Sequence, residues 1–157
     1  LNLNSNIFFL IPAANKKLAE MIKSTKGINE IPYKLSIGSA QDFLALSSIS
    51  IVTSGTATLE AAVLGSAPII CYKTNKLNYA ILSRLVSTPF VGLPNLLLQE
   101  HIFPELIQND LTPNSIVNSF SKISSEPEHY QSYLSDINDS MRGEGFEVAA
   151  NAINNLL

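Results

Sequence analysis

Ser54, Gly55, Thr56 and Glu60 are the residues of this 157-residue chain whose types and spacing point most directly to chemistry. They follow the apolar run Ile49-Ser50-Ile51-Val52 and open an Ala/Leu-rich segment that closes at Gly65. A strand, a turn of small residues and a helix start aim free backbone N–H groups and a positive helix end at an anion. Gly55 lets the backbone approach closely, and the Ser54 and Thr56 hydroxyls can cap the helix or donate to phosphate oxygens. Glu60 lies one turn past Thr56 on the same side of the helix, away from capping-box spacing, so a ligand hydroxyl is a suitable partner. The same residues also suit a capped core helix with one solvated Glu, and the turn alone does not decide between the two.

The elements that must position these residues alternate. Ile7–Ile11 reads as a buried strand ending before Pro12, and Asn15–Lys26 as a helix ending at Gly27. Tyr33–Ile37 reads as a strand and Gln41–Ser47 as a short helix. Ile49–Thr53 is a strand, Thr56–Leu64 a helix, Ala67–Lys73 a strand and Leu77–Val86 a helix. This order predicts an α/β fold, a Rossmann-like parallel sheet with flanking helices, whose ligands bind at the carboxyl ends of the strands. Ser54 and Lys73 both lie there. Residues 88–110 carry Pro89, Pro94 and Pro104, little periodicity and many large apolar side chains, which suits a loop packed on the sheet or presented to a ligand. Thr112-Pro113 starts another helix with Ile116, Val117, Phe120 and Ile123 as its buried stripe. The predicted organisation is a domain over residues 1–125 and a helical extension over 126–157, broken near Gly143 and Gly145.

Composition narrows the class. Hydrophobic residues make up 46%, charged residues 15%, and the net charge is -3, with no basic footprint for nucleic acid. No apolar run is long enough to span a bilayer, and no signal pattern opens the chain. Cys71, the single cysteine, sits in the apolar run Pro68–Tyr72, which suits a buried small hydrophobe, no disulfide and a reducing compartment. His101 and His129 have no metal-ligand spacing and read as surface residues, so no metal or other cofactor is expected.

The run Ser54 to Ala61, Tyr72-Lys73, Leu93-Pro94-Asn95-Leu96 and Pro104-Glu105-Leu106-Ile107-Gln108 occur in order and at matching distances. Together with Arg142 and the closing Ala149-Ala150-Asn151-Ala152, they resemble the carboxyl-terminal half of the lipid-A-disaccharide synthase family, over about Ile7 to Leu157. The first motif is shared loosely with other transferases, and the combination with Leu93-Pro94-Asn95 is the specific part. The resemblance implies one half of a glycosyltransferase built from two facing Rossmann-like domains. The implied donor is UDP-2,3-diacylglucosamine, and the implied acceptor is 2,3-diacylglucosamine 1-phosphate. Transfer inverts the anomeric centre and releases UDP. Ser54, Gly55 and Thr56 would hold the diphosphate and Glu60 the ribose hydroxyls.

Less is implied for the remaining positions. Lys73 stands where relatives often have arginine, so it either contacts the diphosphate or is an exposed strand-end lysine. Asn95 either orients donor or acceptor through its amide or shapes a local turn. At Gln99-Glu100-His101 relatives commonly have Gly and a basic residue, so no ligand contact is assigned there. The absence of an Asp-x-Asp pair agrees with metal-free UDP binding. The family's glycine- and arginine-containing loop, the central strand before it and the amino-terminal domain that holds the acceptor have no counterpart here. The expectation is therefore a fragment with no catalytic residue of its own, inactive alone and prone to pair or aggregate. Acylated substrates imply peripheral contact with the cytoplasmic leaflet of the inner membrane. The alternatives are another UDP-sugar enzyme of this architecture, an N-acetylglucosaminyltransferase or an epimerase, or a non-catalytic α/β module.

Overall fold

The computed structural model describes residues 7–74 and 89–143, in two compact units that divide between Ser47 and Ser48. The expected helix Leu77–Val86 and the closing segment 144–157 lie outside the described residues.

In the first unit, β1 (Phe9–Ala13) and β2 (Tyr33–Ile37) pair in parallel, with Phe9 opposite Tyr33. Helices α1 (Lys16–Lys23) and α2 (Ala40–Leu46) follow the two strands. Asn15 caps α1, its Oδ1 accepting from Leu18 N–H at 3.0 Å. The helix stops short of the expected Lys26 because the Ser24 and Thr25 hydroxyls both turn back to the Met21 carbonyl, ahead of Gly27 at φ 84°. Strand β1 runs through Pro12 rather than ending before it. Phe9 N–H donates to Pro32 O and Gly38 N–H to Ala13 O, so odd-numbered residues of β1 face β2. The N–H that Pro12 lacks would therefore have pointed to the other edge, where no ladder bond is lost.

The second unit holds a parallel sheet in the order β3-β4-β5, formed by Ile49–Thr53, Ala67–Tyr72 and Glu105–Ile107. The central strand β4 is buried from Ala67 to Cys71, the pattern of a strand covered on both faces. Among the described residues four helices accompany the sheet: α3 (Thr56–Val63), α4 (Leu93–Leu98), α5 (Pro113–Ser125) and α6 (Pro127–Gly143). Ile69, Ile70, Phe103 and Leu106 meet Ile123 of α5 and Tyr130, Leu134 and Ile137 of α6 in one core. The α6 residues recur at helical spacing, so the stretch expected as an extension contributes a full stripe to the same core.

The described strands form two parallel sheets, as an α/β fold requires. One expectation is corrected: residues 89–110 are not an irregular loop but carry α4 and β5. Pro94 there occupies the first turn of α4, where its missing N–H costs nothing, and β5 is too short to show a period of its own. One edge of β3 has no partner strand among the described residues. Ala67 N–H donates to Ser48 O and Ser54 N–H to Cys71 O, so the even-numbered residues face β4. Ile49, Ile51 and Thr53 turn their backbone groups the other way, and among the described residues no strand pairs with them. Ile51 is 54% exposed. Among the described residues no helix is long and apolar enough to cross a membrane.

Candidate nucleotide-binding turn

The turn between β3 and α3 lies wholly within the second unit. Where β3 ends, Ser54 N–H continues the ladder to Cys71 O at 2.9 Å, and Ser54 Oγ donates to Val91 O at 2.9 Å. Gly55 then adopts φ 139° and ψ -164°, a region open to glycine and closed to other residues, and becomes the N-cap of α3. No side chain caps this helix. Thr58, fully buried, folds back: its Oγ1 donates to Gly55 O at 2.7 Å, and its N–H reaches the same carbonyl at 3.1 Å. Among the described residues nothing accepts from the N–H groups of Gly55, Thr56 and Ala57. Three donors and the positive end of a helix thus lie at an exposed turn, an arrangement suited to a phosphate.

The expected residues divide in this setting. Gly55 and Thr56 are exposed at the turn, and Glu60 lies half-buried one turn along α3. Lys73 is exposed just past β4, on the same end of the parallel sheet as Ser54 by the register Thr53 with Cys71. The neighbouring Thr74 N–H is tied to Gln108 Oε1 at 3.1 Å, which fixes that strand end. Ser54 spends both of its donors within the chain, on Cys71 O and Val91 O, and so anchors the turn.

Asn95 is likewise engaged within the chain. It is fully buried in α4, and its amide uses its full capacity inside the protein. Oδ1 accepts from Ile102 N–H at 3.2 Å and Phe103 N–H at 2.9 Å, while Nδ2 donates to Phe103 O at 2.8 Å and Glu105 Oε1 at 2.9 Å. The amide thus ties α4 to the segment and strand that follow it.

Sequence reasoning passed over Thr58 and Glu105. Glu105 accepts from Val91 N–H and Gly92 N–H, each at 2.9 Å, as well as from Asn95. Both residues stand inside quoted motifs, but nothing in their local spacing shows what they hold. Cys71 is buried as expected, and burial pushes its thiol pKa up, keeping it protonated and unreactive. His101 and His129 are exposed; His101 lies against the Phe90 ring at 4.7 Å between centroids.

Known proteins are similar to this chain in sequence. A model of the lipid-A-disaccharide synthetase family matches residues 1–153. The lipid-A-disaccharide synthase of Dechloromonas aromatica is 32% identical over 94% of this chain, and that of Alcanivorax borkumensis 33% over 95%. The enzyme of the same name from Cellvibrio japonicus is 34% identical over 97% of the chain. The chain spans only about 40% of the length of these relatives. With a family match over nearly its whole length and relatives above 30% identity, the chain belongs to the lipid-A-disaccharide synthase family of glycosyltransferases.

Proposed function

We propose that this chain supplies the donor-binding part of a lipid-A-disaccharide synthase, a glycosyltransferase with two facing Rossmann-like domains. The donor is UDP-2,3-diacylglucosamine. Its diphosphate sits at the amino terminus of α3, on the N–H groups of Gly55, Thr56 and Ala57 and the Thr56 hydroxyl. The observation that carries this reading is the α3 terminus itself, opened by Gly55 at φ 139° and left without a side-chain cap. Glu60 accepts hydrogen bonds from the two ribose hydroxyls, a role suited to an acceptor-only carboxylate. Lys73 adds a point charge at the strand end.

The chemistry follows from charge. As the anomeric carbon separates from the β-phosphate oxygen, negative charge grows on the departing UDP. Fixed N–H dipoles at a helix terminus stabilise that charge without reorganising, and more strongly in the developing state than in the ground state. The 2,3-diacylglucosamine 1-phosphate acceptor and the base that deprotonates its hydroxyl belong, on this reading, to the portion of the relatives with no counterpart here. The chain alone then binds donor without transferring it. Acylated substrates place the complete enzyme at the cytoplasmic face of the inner membrane, in peripheral contact.

Calorimetric titration tests the site. UDP should bind the wild-type chain, uridine should bind far more weakly, and Glu60→Ala should weaken UDP by about tenfold, the cost of hydrogen bonds to a charged group. Equal binding of UDP and uridine would remove the diphosphate from the α3 turn.

A further inference from the structure

Ser54 does not hold its turn alone. Its hydroxyl ends on the Val91 carbonyl, at a sequence distance of 37 residues, and the Val91-Gly92 segment is itself gripped from beyond. Glu105, the first residue of β5, takes the N–H groups of Val91 on Oε2 and of Gly92 on Oε1. Asn95 Nδ2 shares Oε1, and the rest of the Asn95 amide is locked on Ile102 and Phe103. The segment cannot retreat from the sheet without losing two hydrogen bonds to a carboxylate. It has no room to move inward either, since a Cβ on Gly92 would collide with Ile70 Cδ1 and sit 3.3 Å from Glu105 Oε1.

We infer that Glu105 is a positioning residue for the nucleotide-binding turn: with Asn95, it sets the height of the Val91-Gly92 segment and, through Val91 O, the place of Ser54. This rests on the reading of the α3 turn as the diphosphate site. A carboxylate is required by the count of donors. Three N–H groups converge on its two oxygens, and the isosteric amide would turn an NH2 group toward a donor. Glu105→Gln keeps size and packing, so it tests the charge and the acceptor count rather than the fold.

The experiment uses the 157-residue chain and has two arms. In the first, amide hydrogen exchange is followed by NMR without ligand. Glu105→Gln should speed exchange at Val91 and Gly92 and shift the Ser54 resonance, leaving α5 and α6 amides unchanged. In the second, UDP is titrated calorimetrically into wild type, Glu105→Gln, Glu105→Asp, Ser54→Ala and the double variant Ser54→Ala/Glu105→Gln. Glu105→Gln should weaken UDP by about tenfold. Glu105→Asp, which keeps both acceptor oxygens, should recover part of that loss. In the Ser54→Ala background the Gln change should cost much less, because the connection to the turn is already cut. A purely structural role would lower the melting temperature without that coupling.

Unchanged exchange at Val91 and Gly92 would overturn the inference, as would equal effects of Glu105→Gln with and without Ser54. If wild type binds no UDP, the donor-site reading fails. The exchange arm then still decides whether Glu105 holds the segment. If the Glu105→Gln chain does not fold, Glu105→Asp alone carries the test: altered exchange at Val91 and Gly92 supports the inference, and wild-type exchange overturns it.

Discussion

Two helices of the second unit begin in opposite ways. Helix α5 closes its own amino terminus: Thr112 Oγ1 accepts from Ser115 N–H at 3.1 Å, Ser115 Oγ accepts from Thr112 N–H at 3.3 Å, and Pro113 removes one further donor. Helix α3 begins on a glycine with no side-chain cap, and its first N–H groups have no partner among the described residues. The α5 terminus is largely satisfied by its own sequence, with the Asn114 N–H as its one donor without a partner among the described residues. The α3 terminus leaves several donors unpaired, which is unfavourable for folding and useful only if an anion completes it. Asn95 belongs with α5 in this comparison, since every polar position of its buried amide is filled from within. Satisfied groups stabilise the fold; unsatisfied, exposed donors are where a ligand belongs.

Substitutions can break that contrast. The largest effect is expected at Asn95. Asn95→Ala strands buried partners on Ile102, Phe103 and Glu105 and should destabilise the chain by about 2–4 kcal/mol, read from urea unfolding. Gly55→Ala should come next. A Cβ there meets nothing within 4 Å, so the whole cost lies in a backbone conformation that alanine resists, about 1–3 kcal/mol. That strain should appear mainly as lost UDP affinity if the turn relaxes, and as lost stability if it does not. Thr112→Ala should cost about 1 kcal/mol of stability and leave UDP binding untouched, because the α5 start lies away from the α3 turn in sequence and is closed by its own capping box. A drop in UDP affinity with Thr112→Ala would erase the distinction between the two termini. Smallest of all, Lys73→Ala should weaken UDP by no more than about 1 kcal/mol, with the loss shrinking as salt rises.

Much of this was legible in the sequence, for reasons that differ by region. Strands β2 and β3 have the expected bounds, Tyr33–Ile37 and Ile49–Thr53, because each is a short run set off by turn residues. The α3 turn was legible because small residues directly after an apolar strand constrain the backbone locally. Segment 88–110 was not. Its helix is six residues long, its strand three, and three prolines obscure both. The partners that Ser54 and Asn95 take within the chain were not legible for one shared reason: they are distant or tertiary. Ser54 spends its hydroxyl on Val91, and Asn95 spends its amide on the strand that follows α4. A polar residue beside a motif shows that hydrogen bonds will form, and only the fold shows with what. Glu105 illustrates the same limit, since its three donors come from residues 10 to 14 positions away.

The most direct test of the α3 site is an amide NMR titration of the 157-residue chain with UDP. The largest shifts should fall on Gly55, Thr56 and Ala57, with the amides of Asn114 and Ser115 at the start of α5 unmoved. Shifts confined to the groove lined by His101, Phe103 and Lys122, or spread equally over both helix termini, would contradict the account.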